Sequence, residues 1–295
     1  MAAGSAGGNS QAIGEAIGEA IKKTVPGTSF TYQPSKYGAN APIVGKGQTE
    51  LGMEGGEMPY WSYKGIEIYS EATPDLRVVS FLHNAAFTMT MAKDTGITSL
   101  EQMIEEKYPA KLSVNTKNGL IEMPTRFVLE AYGTNYEEIE SWGGQILYAP
   151  SKEADELFKN RKVDGYFVTT QHPLATFQDV YSARAVNFLP LSEEAIQHVQ
   201  SKLKSAVPFT LPAGTYEGLE EDYKTFSTPM FLVSNAHVPD DVIYTVTKAI
   251  YDNIEYLHSA SKVLEDLTHE NMVPQAGIPI HPGAEAFYKE VGLLR

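Results

Sequence analysis

Cysteine is absent from the 295 residues, which excludes disulfides, a thiol nucleophile and thiolate metal ligands. That absence suits an oxidising compartment. Basic residues are scarce: 23 Lys and Arg against 37 Asp and Glu leave a net charge of −14, and such a surface repels nucleic acid. No apolar run approaches the eighteen or so residues of a membrane span, so no direct membrane insertion is expected. The seven histidines are scattered, with no pair at i, i+4 around a glutamate, and no metal site is expected. No GxSxG elbow occurs. GANAPIVGKG (38–47) superficially resembles a phosphate-binding loop. Six residues, however, separate Gly38 from Gly45 where four are required, and Gly47 stands where Ser or Thr should bind magnesium. No cofactor motif and no catalytic set remain.

What is present begins with SAGGNSQAIGEAIGEAI (5–21), a glycine loop running into an amphipathic helix. Ile13, Ile17 and Ile21 recur every four residues beside Ala12, Ala16 and Ala20, while Glu15, Glu19, Lys22 and Lys23 take the other face. Asn9 and Ser10 are candidate caps. The first turn directs unpaired N–H groups and the positive end of the dipole beyond the glycines, where a small anion is a natural guest.

Short β-rich runs then alternate with helical stretches, at 30–33, 76–82, 87–91, 111–115, 145–149, 165–169 and 186–189. The alternation predicts an α/β fold with largely parallel sheets. The unit at 111–133 repeats the opening form: a strand LSVN, a turn TKNG, and a helix through Arg126 and Leu129 that stops at Gly133. A long helix is expected after VPDD (238–241), its stripe running through Ile243, Val246, Ile250 and Leu257. The acidic cluster Glu220–Asp222 reads as a solvated face.

The second half carries a resemblance. PAGTYEGLEED (212–222), PMFLVSNAHVPDDVIYTVTKAIYDNIEYL (229–257) and IPIHPGAEAFYKEVG (278–292) resemble signature segments of the TAXI family, the extracytoplasmic solute-binding proteins of one class of TRAP transporter. VDGYFVTTQHPLATFQDV (163–180), LRVVSFL (76–82) and DTGITSLEQM (94–103) are similar to further family segments, in the right order over nearly the whole chain. The resemblance implies a two-lobed type II periplasmic-binding-protein fold with a ligand cleft between the lobes. Lobe 1 is expected at 1–91 and 228–295, and lobe 2 at 92–227. It implies capture of a small organic solute, an amino acid or a carboxylate such as glutamate or an atypical ligand, and delivery to TRAP membrane subunits. It also implies a periplasmic location, with the chain start read as a signal peptide removed and a methionine added.

Departures fall where the family contacts its ligand. GGNSQ places Asn9, Ser10 and Gln11 where aromatics are usual, NGLIE (118–122) replaces a GSGTE-like turn, LHNA (82–85) replaces LYPE, and MEGGE (53–57) follows LG where VQ is common. The expected ligand-binding residues are Gly8, Asn9 and Ser10 at the first helix start and Asn118 and Gly119 at the second. Tyr37, Asn40, Gly55, His83, Asn84, Thr170, Gln171 and His172 follow as walls, and Glu54 or Glu57 would receive a donor group. Two other readings stand beside transport: a ligand-sensing receptor of the same fold, and an enzyme on a two-lobed α/β fold in which His172 is essential.

Overall fold

The computed structural model describes residues 1–4 and 9–295. Its helices and strands follow in chain order: α1 (Asn9–Thr24), α2 (Asn40–Gly45), β1 (Leu51–Gly55), α3 (Met58–Lys64), β2 (Leu76–Ala92), α4 (Leu100–Glu105), β3 (Lys111–Ser113), α5 (Glu122–Ala131), α6 (Tyr136–Ser141), β4 (Gln145–Leu147), α7 (Ser151–Lys159), β5 (Gly165–Thr170), α8 (Ala175–Ala183), β6 (Val186–Phe188), α9 (Glu193–Lys202), β7 (Val207–Leu211), β8 (Tyr223–Asn235), α10 (Asp240–Asp252), α11 (Ile254–Ala260) and α12 (Pro282–Glu290). The chain is α/β and divides into two compact units, residues 1–84 with 229–295, and residues 85–228. Both chain passages between them lie inside single long strands, β2 and β8.

In the first unit, β1 pairs antiparallel with the second half of β8, Leu51 opposite Ser234 and Gly55 opposite Met230. Parallel bridges tie Ala2 to Gly52 and Gln33, and Val78 to Ile280. The helix α1 buries Ile13, Ala16, Ile17, Ala20 and Ile21 and packs on α10 and α11, while α10 packs on α12. Its glycines have a reason in packing. A Cβ at Gly14 would stand 2.9 Å from the Tyr32 ring and one at Gly18 2.4 Å from the Phe30 ring. The missing side chains make a groove for the returning chain, and this outweighs the helix cost of glycine. The segment 30–33 expected as a strand is that returning chain, whose one strand-like pairing among the described residues is the bridge at Gln33.

The second unit places β3 between β4 and β5, both parallel to it. Next to β5 lies the second half of β2, antiparallel, with Ala86 opposite Thr170 and Met91 opposite Gly165, and β6 pairs antiparallel with the end of β2. The first half of β8 pairs antiparallel with β7. Largely parallel sheets were therefore too simple an expectation. The runs at 76–82 and 87–91 are one strand of 17 residues, and antiparallel neighbours flank this long strand and β8. The core of the unit is aromatic: Phe158, Tyr166, Phe177, Tyr181, Tyr216 and Tyr223 are all buried in one cluster, with Tyr166 meeting Phe177 edge-on at 5.9 Å. Such contacts add to the area they bury.

Helix ends follow the sequence closely in two places and depart in one. After α5, Gly133 takes φ +76°, and Thr134 N–H returns to the Leu129 carbonyl at 3.0 Å, the glycine-stopped end. α9 begins after Ser192, whose hydroxyl accepts the Ala195 amide. The long C-terminal helix instead breaks at Asn253, where φ is −116° and ψ 25°. The Asn253 amide donates back to the Ala249 carbonyl and across to Thr24 Oγ1, so the side chain satisfies groups the helix abandons.

Candidate functional site

The topology of the second unit fixes where a ligand can be read. From β3 the chain passes through α5 and α6 to β4 on one side, and from β4 it returns through α7 to β5 on the other side of β3. Right-handed crossovers in opposite directions put their helices on opposite faces, and α5 accordingly packs on α9, and α7 on α8. The adjacent parallel strands β3 and β5 thus send their outgoing loops to opposite faces. Ligands of open α/β sheets bind beyond the carboxyl ends of strands at such a point.

The loops that leave there are 114–121 and 171–174. In the first, Asn115 and Asn118 take left-handed backbone at φ +63° and +59°, a conformation that asparagine tolerates better than most residues. The turn is held by its own helix. Asn118 N–H donates to Glu122 Oε2 at 2.7 Å, and Arg126 Nε donates to Glu122 Oε1 at 2.6 Å. Arg126 Nη2 reaches Asn118 Oδ1 at 3.4 Å. Gly119 is required by space, since a Cβ there would lie 2.8 Å from the Thr116 carbonyl oxygen. The two loops are tied together: Thr169 Oγ1 donates to the Leu120 carbonyl at 2.8 Å. Asn118, Gly119, Thr170 and Gln171 are therefore brought to one edge, where Gln171 Oε1 is buried without a protein partner among the described residues.

His172 lies one residue further and is fully engaged. Tyr216 O accepts the Leu174 amide at 2.8 Å, so its proton goes to His172 Nδ1 at 2.8 Å. His172 Nε2–H then donates to the Ala86 carbonyl at 3.3 Å. Burial pushes the imidazole down to about 4, so it stays neutral and both ring nitrogens are spent on protein. Tyr216, 44 residues away in sequence, was missed by sequence reasoning, and no local pattern announces it. Tyr216→Phe removes one hydroxyl and strands two partners, the Leu174 amide and His172 Nδ1. It is expected to lower unfolding free energy by about 2–3 kcal/mol, read from denaturant melts. A loss below about 0.5 kcal/mol would show that the hydroxyl is not what holds this loop.

The first unit gathers a second polar set. α1 starts at Asn9. Ser10 lies inside the helix rather than capping it, because its hydroxyl is spent on Tyr37 at 2.7 Å. Gly8 lies outside the described residues. Behind Tyr37 stands Glu54 of β1, 0% exposed. Its carboxylate accepts N–H from Gly38 at 3.1 and 3.0 Å, from Ala41 at 3.2 Å and from Gly55 at 3.3 Å, and the Asn40 amide joins them. Among the described residues no ion pair reaches it. Burial outweighs these donors and pushes Glu54 up to about 8. Asn40 Nδ2 donates to the carbonyls of Met53 at 2.8 Å and Ala3 at 3.3 Å, leaving its Oδ1 buried and unpartnered.

His83 and Asn84 sit apart from that set. His83 is buried, its acidity raised by burial, and its Nδ1 donates to the Asn84 carbonyl at 3.0 Å. The Asn84 amide donates to Asp266 at 3.3 Å.

Among the described residues no group of three or more His, Asp or Glu is placed to hold a metal ion, and no helix is long and apolar enough to cross a membrane. The model of the NMT1-like family matches residues 1–292. The fold is similar to that of the periplasmic binding protein BugD, at 13% identity over 100% of this chain and 97% of that one, with a TM-score of 0.61. It is also similar to MatC from Rhodopseudomonas palustris, solved with bound malate, at 10% identity over 99% and 95% and a TM-score of 0.62. A third likeness is to PhnD1 from Prochlorococcus marinus in complex with methylphosphonate, at 9% identity over 100% and 98% and a TM-score of 0.59. At these identities the likeness is one of fold.

Proposed function

We propose, from the premise that this chain belongs to the NMT1-like family, that it is an extracytoplasmic solute-binding receptor without catalytic activity. In this reading it takes up a small organic solute, an amino acid or a carboxylate, and passes it to the membrane subunits of a TAXI-type TRAP transporter. The observation that carries the binding reading is the edge of the second unit. Two parallel strands release loops to opposite faces there, and Asn118, Gly119, Thr170 and Gln171 come to one edge, where Gln171 Oε1 is buried without a partner among the described residues. His172, the one side chain an enzyme reading would use, has neither ring nitrogen free. The TAXI assignment is supported by the order of the segments at 163–180, 212–222, 229–257 and 278–292. A bound malate in MatC and a bound methylphosphonate in PhnD1 make small anionic solutes reasonable members of a screen.

The test is a thermal-shift screen of the ligand-free chain against amino acids, dicarboxylates and oxoacids. A ligand of the folded state raises the midpoint once its concentration exceeds the dissociation constant. Asn118→Gly keeps the left-handed backbone and deletes the side-chain amide. It is expected to weaken the hit at least tenfold in calorimetry while leaving the apo midpoint within about 2 °C. Unchanged affinity would move the ligand away from this edge, and product formation with any hit would overturn the receptor reading.

A further inference from the structure

We infer that Arg126 and Tyr148 make the carboxyl edge of the second unit select a solute that joins a carboxylate to an aromatic ring. The inference rests on the solute-binding reading above and deepens it: it names the side chain that receives the anion and the side chain that receives the body.

Arg126 is a cation fixed from behind. Its Nε donates to Glu122 Oε1 at 2.6 Å and its Nη2 to Glu122 Oε2 at 3.3 Å, while Nη2 also reaches Asn118 Oδ1. Glu122 is 1% exposed and is itself tied down, because Oε2 accepts the Asn118 amide. The Arg126 side chain nonetheless stays 40% exposed. Among the described residues no acceptor reaches Nη1, which leaves its two N–H donors unspent. A guanidinium already held on one edge loses little freedom when it takes up an anion on the other. Lys117, exposed in the same turn, adds a second positive charge.

The body of the solute has its own partner. Of the 17 Tyr, 12 Phe and 2 Trp, Tyr148 alone is exposed among the described residues, at 47%. The fold covers the other aromatic side chains wholly or in part and leaves this one at the edge where a ligand is read. Bonds on either side place it there. The Val114 amide donates to the Leu147 carbonyl at 3.0 Å, and Asn115 Nδ2 donates to Ser151 Oγ at 3.2 Å. The segment leaving β4 therefore runs beside the turn that carries Asn118. Burial and then the Glu122 charge hold the Tyr148 phenol proton more tightly, while the Arg126 cation opposes them, so ring and guanidinium share one neighbourhood. Glu137 and Glu140 of α6 act on the same phenol, but both are exposed and screened by water and salt. A flat ring laid on Tyr148 removes apolar surface of both partners from water, and the contact of the two rings adds to that area. A carboxylate on that ring then finds Arg126 on the same edge, whereas an ammonium would meet the guanidinium and be repelled.

The experiment is titration calorimetry on the full chain with benzoate and benzamide, and with phenylacetate and phenylacetamide, pairs that differ in charge at constant ring. Butyrate supplies a carboxylate without a ring, and benzylamine a ring with a cation. The expected result is that the acid of at least one pair binds about tenfold more tightly than its amide, than butyrate and than benzylamine. Tyr148→Ala, a change at an exposed position, removes the advantage over butyrate, and Arg126→Gln removes the advantage over the amide. Because both readouts are ratios, a general loosening of the turn does not imitate them. An amide or benzylamine binding as tightly as the acid overturns the inference, needs no variant and leaves the receptor reading standing. Either variant keeping the wild-type ratio does the same. If none of these probes binds while the wider screen yields another solute, the inference falls alone. Silence in both counts against the inference and the receptor reading together.

Discussion

Glu54→Gln is expected to remove a fall in stability of about 5 kcal/mol that the ligand-free chain undergoes between pH 4.5 and about pH 8. The size follows from the rise of the Glu54 pKa from 4.5 to about 8, at about 1.4 kcal/mol per unit. The sign follows from proton counting. Between those two values the folded chain holds the Glu54 proton and the unfolded chain does not, so unfolding releases a proton and stability falls as pH rises. The contribution is complete below pH 4.5 and gone above about pH 8. Glutamine carries one oxygen acceptor and one donor group, as the protonated acid does, and has nothing to ionise. Urea melts at half-unit steps should therefore show the native and variant chains running together in acid and separating above pH 5, with the variant the more stable at pH 9. Parallel curves across the range would mean that the carboxylate is ionised in the folded chain, with its amide donors outweighing burial. The Tyr37 and Tyr69 hydroxyls, which Glu54 also influences, do not add to this slope, because burial holds both protonated well above the window.

Gly283→Ala is expected to cost about 3 kcal/mol, although alanine favours a helix over glycine by roughly 1 kcal/mol. A Cβ at Gly283 would lie 2.1 Å from the Asp240 carbonyl oxygen and 2.8 Å from the Tyr244 amide nitrogen. Both are backbone atoms of α10 and cannot turn aside, so α12 must back away along its length, loosening Phe287 and Tyr288, which are 1% and 0% exposed. The cap of α12 would suffer too. Buried His281 accepts the Gly283 amide on Nδ1 at 3.2 Å, while Nε2 donates to the Val238 carbonyl at 3.1 Å. For a chain of this size the midpoint should drop by about 5 °C. A variant as stable as the parent would mean that the two helices separate at no cost.

Both effects sit at close approaches that the sequence does not display, and this marks where reading the chain succeeds and stops. Local periodicity is enough for α1, where isoleucines four apart meet alanines, and for α5, where Gly133 ends the helix at the position its φ requires. It is enough to see that strands precede the turns at 114–121 and 171–174, because those signals lie within a dozen residues. It fails for 30–33, whose β-rich composition comes from rings lying in the grooves of Gly14 and Gly18, and at Asn253, where a side chain serving two partners outweighs the apolar stripe running on to Leu257. The cage of Glu54 is illegible for the same reason. Its donors come from Gly38 in the turn before a six-residue helix, from the start of that helix and from the adjoining strand residue Gly55, and only the folded chain brings them around one carboxylate. The pairing of Tyr216 with His172 is likewise made by tertiary structure alone. Asn118 and Gln171 were nameable from sequence as polar residues in loops. That they share an edge comes from strand order, which periodicity does not encode.

The division of the chain also sets an order of assembly during synthesis. Residues 85–228 form one uninterrupted unit, whereas the other unit is made of a first piece ending at 84 and a second beginning at 229. Everything that completes the interrupted unit arrives late: Leu51 awaits Ser234, Val78 awaits Ile280, and the apolar stripe of α1 awaits α10 and α11. As the polypeptide emerges from ribosome or translocon, the middle unit has all its residues in hand while the stripe of α1 is still uncovered. A helper that shields nascent chains has its longest interval on residues 13–21, and a chain terminated anywhere before α10 carries that stripe with no surface to receive it.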